Sequence, residues 1–408
     1  MKTDHDILII GGGLNGPALG LALAQAGLSV AVVDAQPARA RAEAAFDGRA
    51  YALAIASKRL LSAIQVWPAL VADCQPIQKI IASDGRAGSA WPSPALRFDS
   101  AEIEEGPMGF MVEDRHLYAA FLGAMAETKG LTHLAGTSVT DHQADSGGVV
   151  ATLTDGRRLT SRVLVACDGR ASPTAARAGI RRHGHAYGQT ALVAAIAHDR
   201  PHNGTAHQLF LPSGPLAILP LTGNRSSIVW SETDENARTI AALADAGFLT
   251  VLRPHFGDFL GPITLAGPRF TYPLSLTLAE TYIAPRLALV GDAAHGVHPI
   301  AGQGLNLGLR DVAAFAEVLV TAHRRGEDIG APDVLERYQS WRRFDATTLA
   351  LGMDGVNTLF SNDNPVFRAA RGTGLALVNA TPPLRRRFMR QAAGLTGQTA
   401  RLLLGQPL

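Results

Sequence analysis

The chain has 408 residues, 47% apolar and 18% charged, which reads as soluble and globular, too long for one small core and suited to two interlocked domains. Its formal net charge is only +2; the basic residues gather near the C-terminus without a recognised binding motif, which argues against a nucleic-acid partner. No apolar run reaches the ~18 residues of a membrane span, and the polar start, Met1 to Asp6, holds no signal core, so a cytoplasmic protein is expected.

Ile7 to Ile10 reads as an apolar strand. A glycine-rich turn follows it, then a helix from about Leu14 to Ala26 and a second strand, Ser29 to Val33, ending in Asp34. The polar, alanine-rich stretch Ala35–Gly48 predicts a mobile loop, and the spacing over Ala50–Ile64 predicts a helix. Another helix is expected over Asp114–Lys129, with Asp114 as its N-cap. Val149–Leu153 and Arg158–Ala166 flank Asp155-Gly156 as a hairpin, and the second of these strands runs into Cys167-Asp168-Gly169. From about Arg181 to Tyr272, short alternating segments predict a mixed or antiparallel sheet, a candidate substrate domain. A buried strand, Leu287–Val290, a long helix from about Gly304 and a mostly helical remainder from about Pro332 complete the chain. The expected fold is α/β: a discontinuous Rossmann-like domain (residues 1–180 and 276–330), an inserted sheet domain (181–275, with strands near 70–112 available to it) and a helical C-terminal region (331–408).

Two motifs carry chemistry. Gly11-Gly12-Gly13-Leu14-Asn15-Gly16 lies between a strand and a helix. Its glycines let the backbone approach a pyrophosphate, to which the helix N-terminus offers unpaired N–H groups. Asp34, at the end of the next strand, suits a ribose hydroxyl. A plain tight turn is the competing reading, and this motif alone does not separate FAD from NAD. The second motif is Gly291-Asp292-Ala293-Ala294-His295, then Pro299 and Gly302-Gln303-Gly304-Leu305-Asn306. Asp292 suits the polar ribityl chain of a flavin. The N–H groups of the helix opening near Gly304 suit the negative charge that a flavin gains on reduction.

The run from Gly291 to Asn306 resembles the flavin-binding signature of class A flavoprotein monooxygenases, and Leu307-Gly308-Leu309-Arg310-Asp311-Val312 narrows the resemblance to the ubiquinone-biosynthesis hydroxylases. Asp47-Gly48-Arg49-Ala50-Tyr51-Ala52-Leu53, Gly214–Pro220, Ser227–Trp230 and the end from Gly394 to Gly405 are also similar to that family, so the resemblance covers roughly residues 5 to 405. It implies an FAD-binding domain in which Gly11, Gly13, Leu14, Asn15, Gly16 and Asp34 hold one half of FAD. Gly291, Asp292, Pro299, Gly302, Gly304, Leu305 and Asn306 would hold the other half, with Arg49 close to the flavin, Arg115 near the phosphates and Asp168-Gly169 near the pyrophosphate. Pro299, His298 and Arg49 would stand beside the reacting centre. The resemblance further implies NAD(P)H as reductant, a flavin C4a-hydroperoxide as oxygen donor, and a hydrophobic phenolic substrate bearing a polyprenyl chain. It departs from the family where Ala175 replaces the arginine three residues after Ser172; Arg177, two further on, is expected to point elsewhere on its helix, which puts the nicotinamide contact in doubt.

The remaining clusters are less specific. Cys74 and Cys167 form no C-x-x-C pair, and the spacings among His183, His185, His198, His202 and His207 fit no zinc pattern, so no metal is expected. For His295 and His298 a structural role is the safer reading. Between Pro365 and Leu408 lie seven arginines (Arg368, Arg371, Arg385, Arg386, Arg387, Arg390 and Arg401) and no acid, which leaves about −5 on the rest of the chain. That tail is either a solvated helical face or a peripheral contact with an anionic membrane at its inner surface. Three other functions remain open: a class A hydroxylase of another phenol, an FAD-binding structural subunit in a complex of ubiquinone-biosynthesis proteins, and an NAD-dependent dehydrogenase.

Overall fold

The computed structural model describes residues 3–38, 48–85, 95–362, 364–397 and 399–408, without the side chains of residues 301 and 365–370. Most of the loop expected over 35–48, Asp47, and the side chain of Arg368 lie outside the described residues.

Strand β1 (His5–Ile10), helix α1 (Asn15–Gln25) and strand β2 (Val30–Asp34) open the chain. Then come β3 (Ala50–Ala54), α2 (Ile55–Ala63), β4 (Cys74–Ile77), β5 (Lys79–Asp84), β6 (Ala95–Asp99) and β7 (Gly109–Glu113). Helix α3 (Asp114–Glu127) leads to β8 (Leu131–Ala135), β9 (Val139–Ala144), β10 (Val149–Leu153), β11 (Arg158–Ala166) and the short α4 (Pro173–Arg177). β1, β2, β8, β11 and β19 (Leu287–Leu289) lie parallel in the order β19-β11-β1-β2-β8. Every residue of β2 is buried, as in a sheet covered on both faces. This is the Rossmann-like sheet, drawn from chain segments far apart in sequence, with β9 and β10 added antiparallel beside β11.

The second sheet is built on β12 (Arg182–His198), β13 (Thr205–Leu211), β14 (Gly214–Leu221) and β15 (Arg225–Thr233), with β17 (Phe270–Ala279) on the far side of β12. These pairs are antiparallel, but β5 joins β13 in parallel, so the sheet is mixed. Strand alternation gives it two apolar faces. One packs Leu209, Leu211 and Trp230 under α5 (Asp234–Ala241) and α6 (Asp245–Phe256). The other gathers Ala195, Ala206 and Leu221 with Ile77, Met108, Met111 and Met389.

After β19, helix α7 (Gln303–Arg324) runs through the main core. Helices α8 (Pro332–Phe360), α9 (Pro365–Ala380) and α10 (Pro382–Ala392) follow it. Ion pairs tie this C-terminal region to the second sheet and the segment after it: Arg371 to Asp84 at 3.2 Å, Arg385 to Glu102 at 2.7 Å and Arg390 to Glu105 at 3.1 Å.

Two local expectations are corrected. Residues 50–54 are a strand rather than the start of a helix, because β3 pairs with β7 from Ala50↔Glu113 to Ala54↔Gly109. Cross-strand pairing overrides the helical preference of alanine. Asp114 is not the N-cap: that position belongs to Glu113, and the Asp114 carboxylate in the first turn pairs with Arg49 at 3.2 Å.

Candidate functional site

The site forms where the parallel strands end, as open α/β sheets place their ligands. At the end of β1 the chain turns through Gly11, whose φ of +113° favours glycine. A Cβ on Gly16 would collide with the carbonyl oxygen of Gly11, so α1 can approach the turn only with glycine there. Beside this turn lies a cavity of about 370 Å³, lined by Gly11, Gly13, Asp34, Asp168, Gly169 and Arg177 among others. A second cavity of about 400 Å³ is lined by Leu14, Asn15, Arg170, Asp292, Pro299, Gly302, Gly304 and Leu305. The two share Gly13, Cys167 and Gly169 and form one elongated cleft.

The carboxylates along this cleft differ in how far they are committed. Asp34 accepts from the Tyr118 hydroxyl at 2.8 Å and from the Gln36 N–H at 3.0 Å, which fixes its orientation. Asp168 accepts from the Ser172 hydroxyl at 2.6 Å and the Thr174 N–H at 3.0 Å, so it holds its own turn together. Asp292 lines the cleft with no side-chain hydrogen bond among the described residues. Asn15 Oδ1 is a buried acceptor without a partner among them, an opening for a ligand donor.

Behind Gly291 stands a brace that sequence reasoning missed. The buried Asp311 carboxylate accepts from His295 Nε2 at 2.5 Å, Arg342 Nε at 2.8 Å and the Gly291 N–H at 3.1 Å. Burial alone would raise its pKa, but His295 and Arg342 outweigh burial and hold it below the ordinary carboxylate range. Asp311 and His295 both lie in the runs quoted above, but the part played by Arg342, on α8, has no local signal. Arg170, next to the Asp168-Gly169 pair, was also missed; its Nη2 donates to the Val297 carbonyl at 3.3 Å.

Not every expected residue reaches the cleft. Gly16 and Gly291 lie behind its wall, where they make room for Gly11 and for the Asn15 side chain. Arg49 and Arg115 are outside its lining, held by Asp114 at 3.2 Å and Glu113 at 2.8 Å. His298 is buried with its ring 5.0 Å from that of Tyr187; burial first, then Arg170, pushes its pKa down to about 4, so it is neutral near pH 7. The Asn306 side chain is fully spent on Ala52 O, Gly302 O, Ala54 N and Ser57 Oγ. Arg177, exposed and on a different side of α4 from the buried Ala175, also lines the cleft. Ser172, with φ +23°, caps α4 by accepting from the Ala175 N–H, and Arg177 Nη2 donates to the Thr174 hydroxyl at 3.1 Å. No group of three metal-ligating side chains occurs among the described residues.

An apolar cavity of about 210 Å³ opens from the second half of the cleft, sharing Ala52, Gln208 and Leu219 with it. Ile77, Ile80, Phe98, Met108 and Met389 line it. Beyond Phe388 and Ile300 lies an outer cavity of about 440 Å³ between α8 and α10.

A tight glycine turn, an oriented acid, a free acid and an exposed helix start along one cleft are the features that a flavin dinucleotide requires. Comparison with known proteins agrees. A family model described as an FAD binding domain matches residues 4–350. The chain is 45% identical to the ubiquinone hydroxylase UbiL of Rhodospirillum rubrum over 407 residues, covering 99% of this chain and 93% of that relative. It is 35% identical to the 3-demethoxyubiquinol 3-hydroxylase of Escherichia coli, covering 96% of this chain and 98% of the relative. Among solved structures, p-nitrophenol 4-monooxygenase PnpA from Pseudomonas putida superimposes with a TM-score of 0.81 at 18% identity, over 98% of this chain and 100% of that one, a likeness of fold. The chain therefore belongs to the FAD-binding-domain family and, within it, to the ubiquinone-biosynthesis hydroxylases of the class A flavoprotein monooxygenases.

Proposed function

We propose that this FAD-dependent monooxygenase hydroxylates the ring of a polyprenylated phenol in ubiquinone biosynthesis, with NAD(P)H and O2 as co-substrates. The observation that carries the substrate class is the apolar cavity opening from the cleft and continued by the one between α8 and α10. A ring held at the inner end leaves its prenyl chain an apolar path outwards.

The redox chemistry is supplied by FAD when bound. The turn at Gly11–Gly13 and the N-terminus of α1 receive the pyrophosphate, Asp34 accepts from the ribose, and Arg177 adds a cation on the same side. Asn15 and Asp292 offer acceptors to the polar chain joining the two halves. The first N–H groups of α7, at Gly304 and Leu305, stabilise negative charge at the flavin end. Pro299 shapes the wall there. His298, packed behind it, acts as a neutral support for that turn, and Arg49 as part of the ion-paired frame around Asp114.

Peripheral membrane contact belongs to this reading: Arg386, Arg387 and Phe388 of α10 are exposed beside the outer cavity. No described helix is long and apolar enough to cross a membrane.

The test is the visible spectrum of the purified protein, followed by NAD(P)H addition with and without a short-chain prenylphenol. Flavin bleaching and NAD(P)H oxidation should accelerate with the phenol and yield a hydroxylated product. A yellow protein indifferent to prenylphenols would overturn the substrate assignment.

A further inference from the structure

We propose that the side-chain amide of Gln208 receives the phenolic hydroxyl of the substrate and so fixes the rotation of the ring at the mouth of the cleft. The assignment rests on the hydroxylase reading above.

The geometry begins with the alternation of β13. Leu209 and Leu211 point into the core under α5 and α6, and the His207 ring packs on Phe259 at 4.5 Å between centroids. Ala206 and Gln208 therefore point to the opposite face, where Ala206 packs with Ile77, Met108 and Met389 around the apolar cavity. Ala52, Gln208 and Leu219 border both that cavity and the cleft, and of the three only Gln208 has a polar side chain. It is half-buried, and its amide has no hydrogen-bond partner among the described residues.

A half-buried carboxamide in this wall is open to a ligand, which would exchange the amide's water for a direct partner. The other polar side chains of the wall do not compete for this place: the His207 ring is turned to Phe259. Asn306 is fully committed within the protein, and Gln303 stands at the outer end, on the border with the cavity between α8 and α10. A carboxamide both donates and accepts, so it can receive a phenol O–H or donate to a phenolate oxygen. With the hydroxyl on Gln208 and the prenyl chain directed towards Phe388, the ring has one orientation to present to the flavin end. Gln208 is thus a specificity residue.

The experiment uses the holoenzyme and two ligands, a short-chain 2-prenylphenol and the prenylbenzene that lacks only the hydroxyl, each titrated against the flavin absorbance. The wild type should bind the phenol about tenfold more tightly, the worth of roughly one net hydrogen bond. Gln208→Met, similar in length and apolar, should bind the two ligands within about twofold and give a mixture of hydroxylated ring positions. Equal affinities in the wild type would overturn the assignment without reference to any variant. So would a Gln208→Met enzyme that keeps the tenfold discrimination. A wild type that hydroxylates the phenol while Gln208→Met is unchanged sinks only the role of Gln208. A wild type whose flavin responds to neither ligand overturns the hydroxylase reading, and this assignment with it.

Discussion

His298 and Arg177 show what a sequence motif conveys about single residues and what it does not. The glycines of the first turn, Asp34 and Asp292 were legible because a strand, a turn and a helix at fixed spacing leave them one place to be. Arg177 was not read as a cleft residue, because it lies outside the family's motif position at 175 and only the fold brings it to the cavity beside Gly11. Arg177→Ala should weaken FAD binding about tenfold, the loss of one charge-assisted hydrogen bond. Titrating apoprotein with FAD by flavin fluorescence checks this, and unchanged affinity would remove Arg177 from the site. His298 was placed beside the reacting centre by its neighbour Pro299, but its ring turns to Tyr187. Its pKa is lowered to about 4 in the folded protein, against about 6.5 when unfolded. Between those values the unfolded chain binds a proton that the folded protein does not. Stability therefore falls as pH drops from about 6.5 towards about 4, by on the order of 3 kcal/mol at most from this group. His298→Leu should flatten that part of the pH–stability curve, measured as the urea midpoint from pH 7 to pH 4.

At the scale of elements, the apolar runs gave away β1, β2, β10, β11 and β19 and parts of β12 to β15, and the helical spacing gave away α1, whereas β8, β9 and β17 were not read as strands. The junction of β3 and α2 was not legible, because Ala50–Ala54 lacks the β-branched residues that mark a strand and takes its conformation from β7, about sixty residues away by the register given above. Asn306 locks this junction to α7: its amide donates to Ala52 O at 2.8 Å and Gly302 O at 2.9 Å and accepts from Ala54 N at 2.8 Å and Ser57 Oγ at 2.7 Å. Motif reading placed Asn306 on the cofactor, since it closes the glycine-rich run, yet its side chain serves the scaffold beneath. Asn306→Ala should cost about 2–4 kcal/mol of stability, since it leaves several buried backbone groups unpaired. The check is thermal unfolding of the FAD-loaded and FAD-free forms. A structural bracket predicts a loss in both, whereas a loss confined to the loaded form would return Asn306 to the cofactor.

At the scale of the whole molecule, the seven arginines of the C-terminal region looked like one basic tail, because sequence shows charge but not its partners. The fold divides them. Arg371 is buried against Asp84, Arg385 is paired with Glu102, and Arg390 reaches Glu105. Glu102 and Glu105 come from the segment between β6 and β7, nearly 300 residues earlier in sequence. These pairs fasten α9 to β5 and hold α10 beside the apolar cavity. Arg386 and Arg387 are exposed cations beside Phe388, which is 49% exposed; Arg401 is exposed beyond α10, and the Arg368 side chain lies outside the described residues. At about 1 kcal/mol for each arginine near an anionic surface, replacing Arg386 and Arg387 by Gln should weaken binding to vesicles rich in anionic lipid by about 2 kcal/mol, roughly thirtyfold. Replacing Arg385 by Gln should instead lower the unfolding temperature and affect vesicle binding less, because its charge is already answered by Glu102. Co-sedimentation with anionic and with neutral vesicles separates the two. If the Arg386/Arg387 double variant binds anionic vesicles as the wild type does, α10 is a solvated lid and a prenylated substrate must reach the outer cavity by another route.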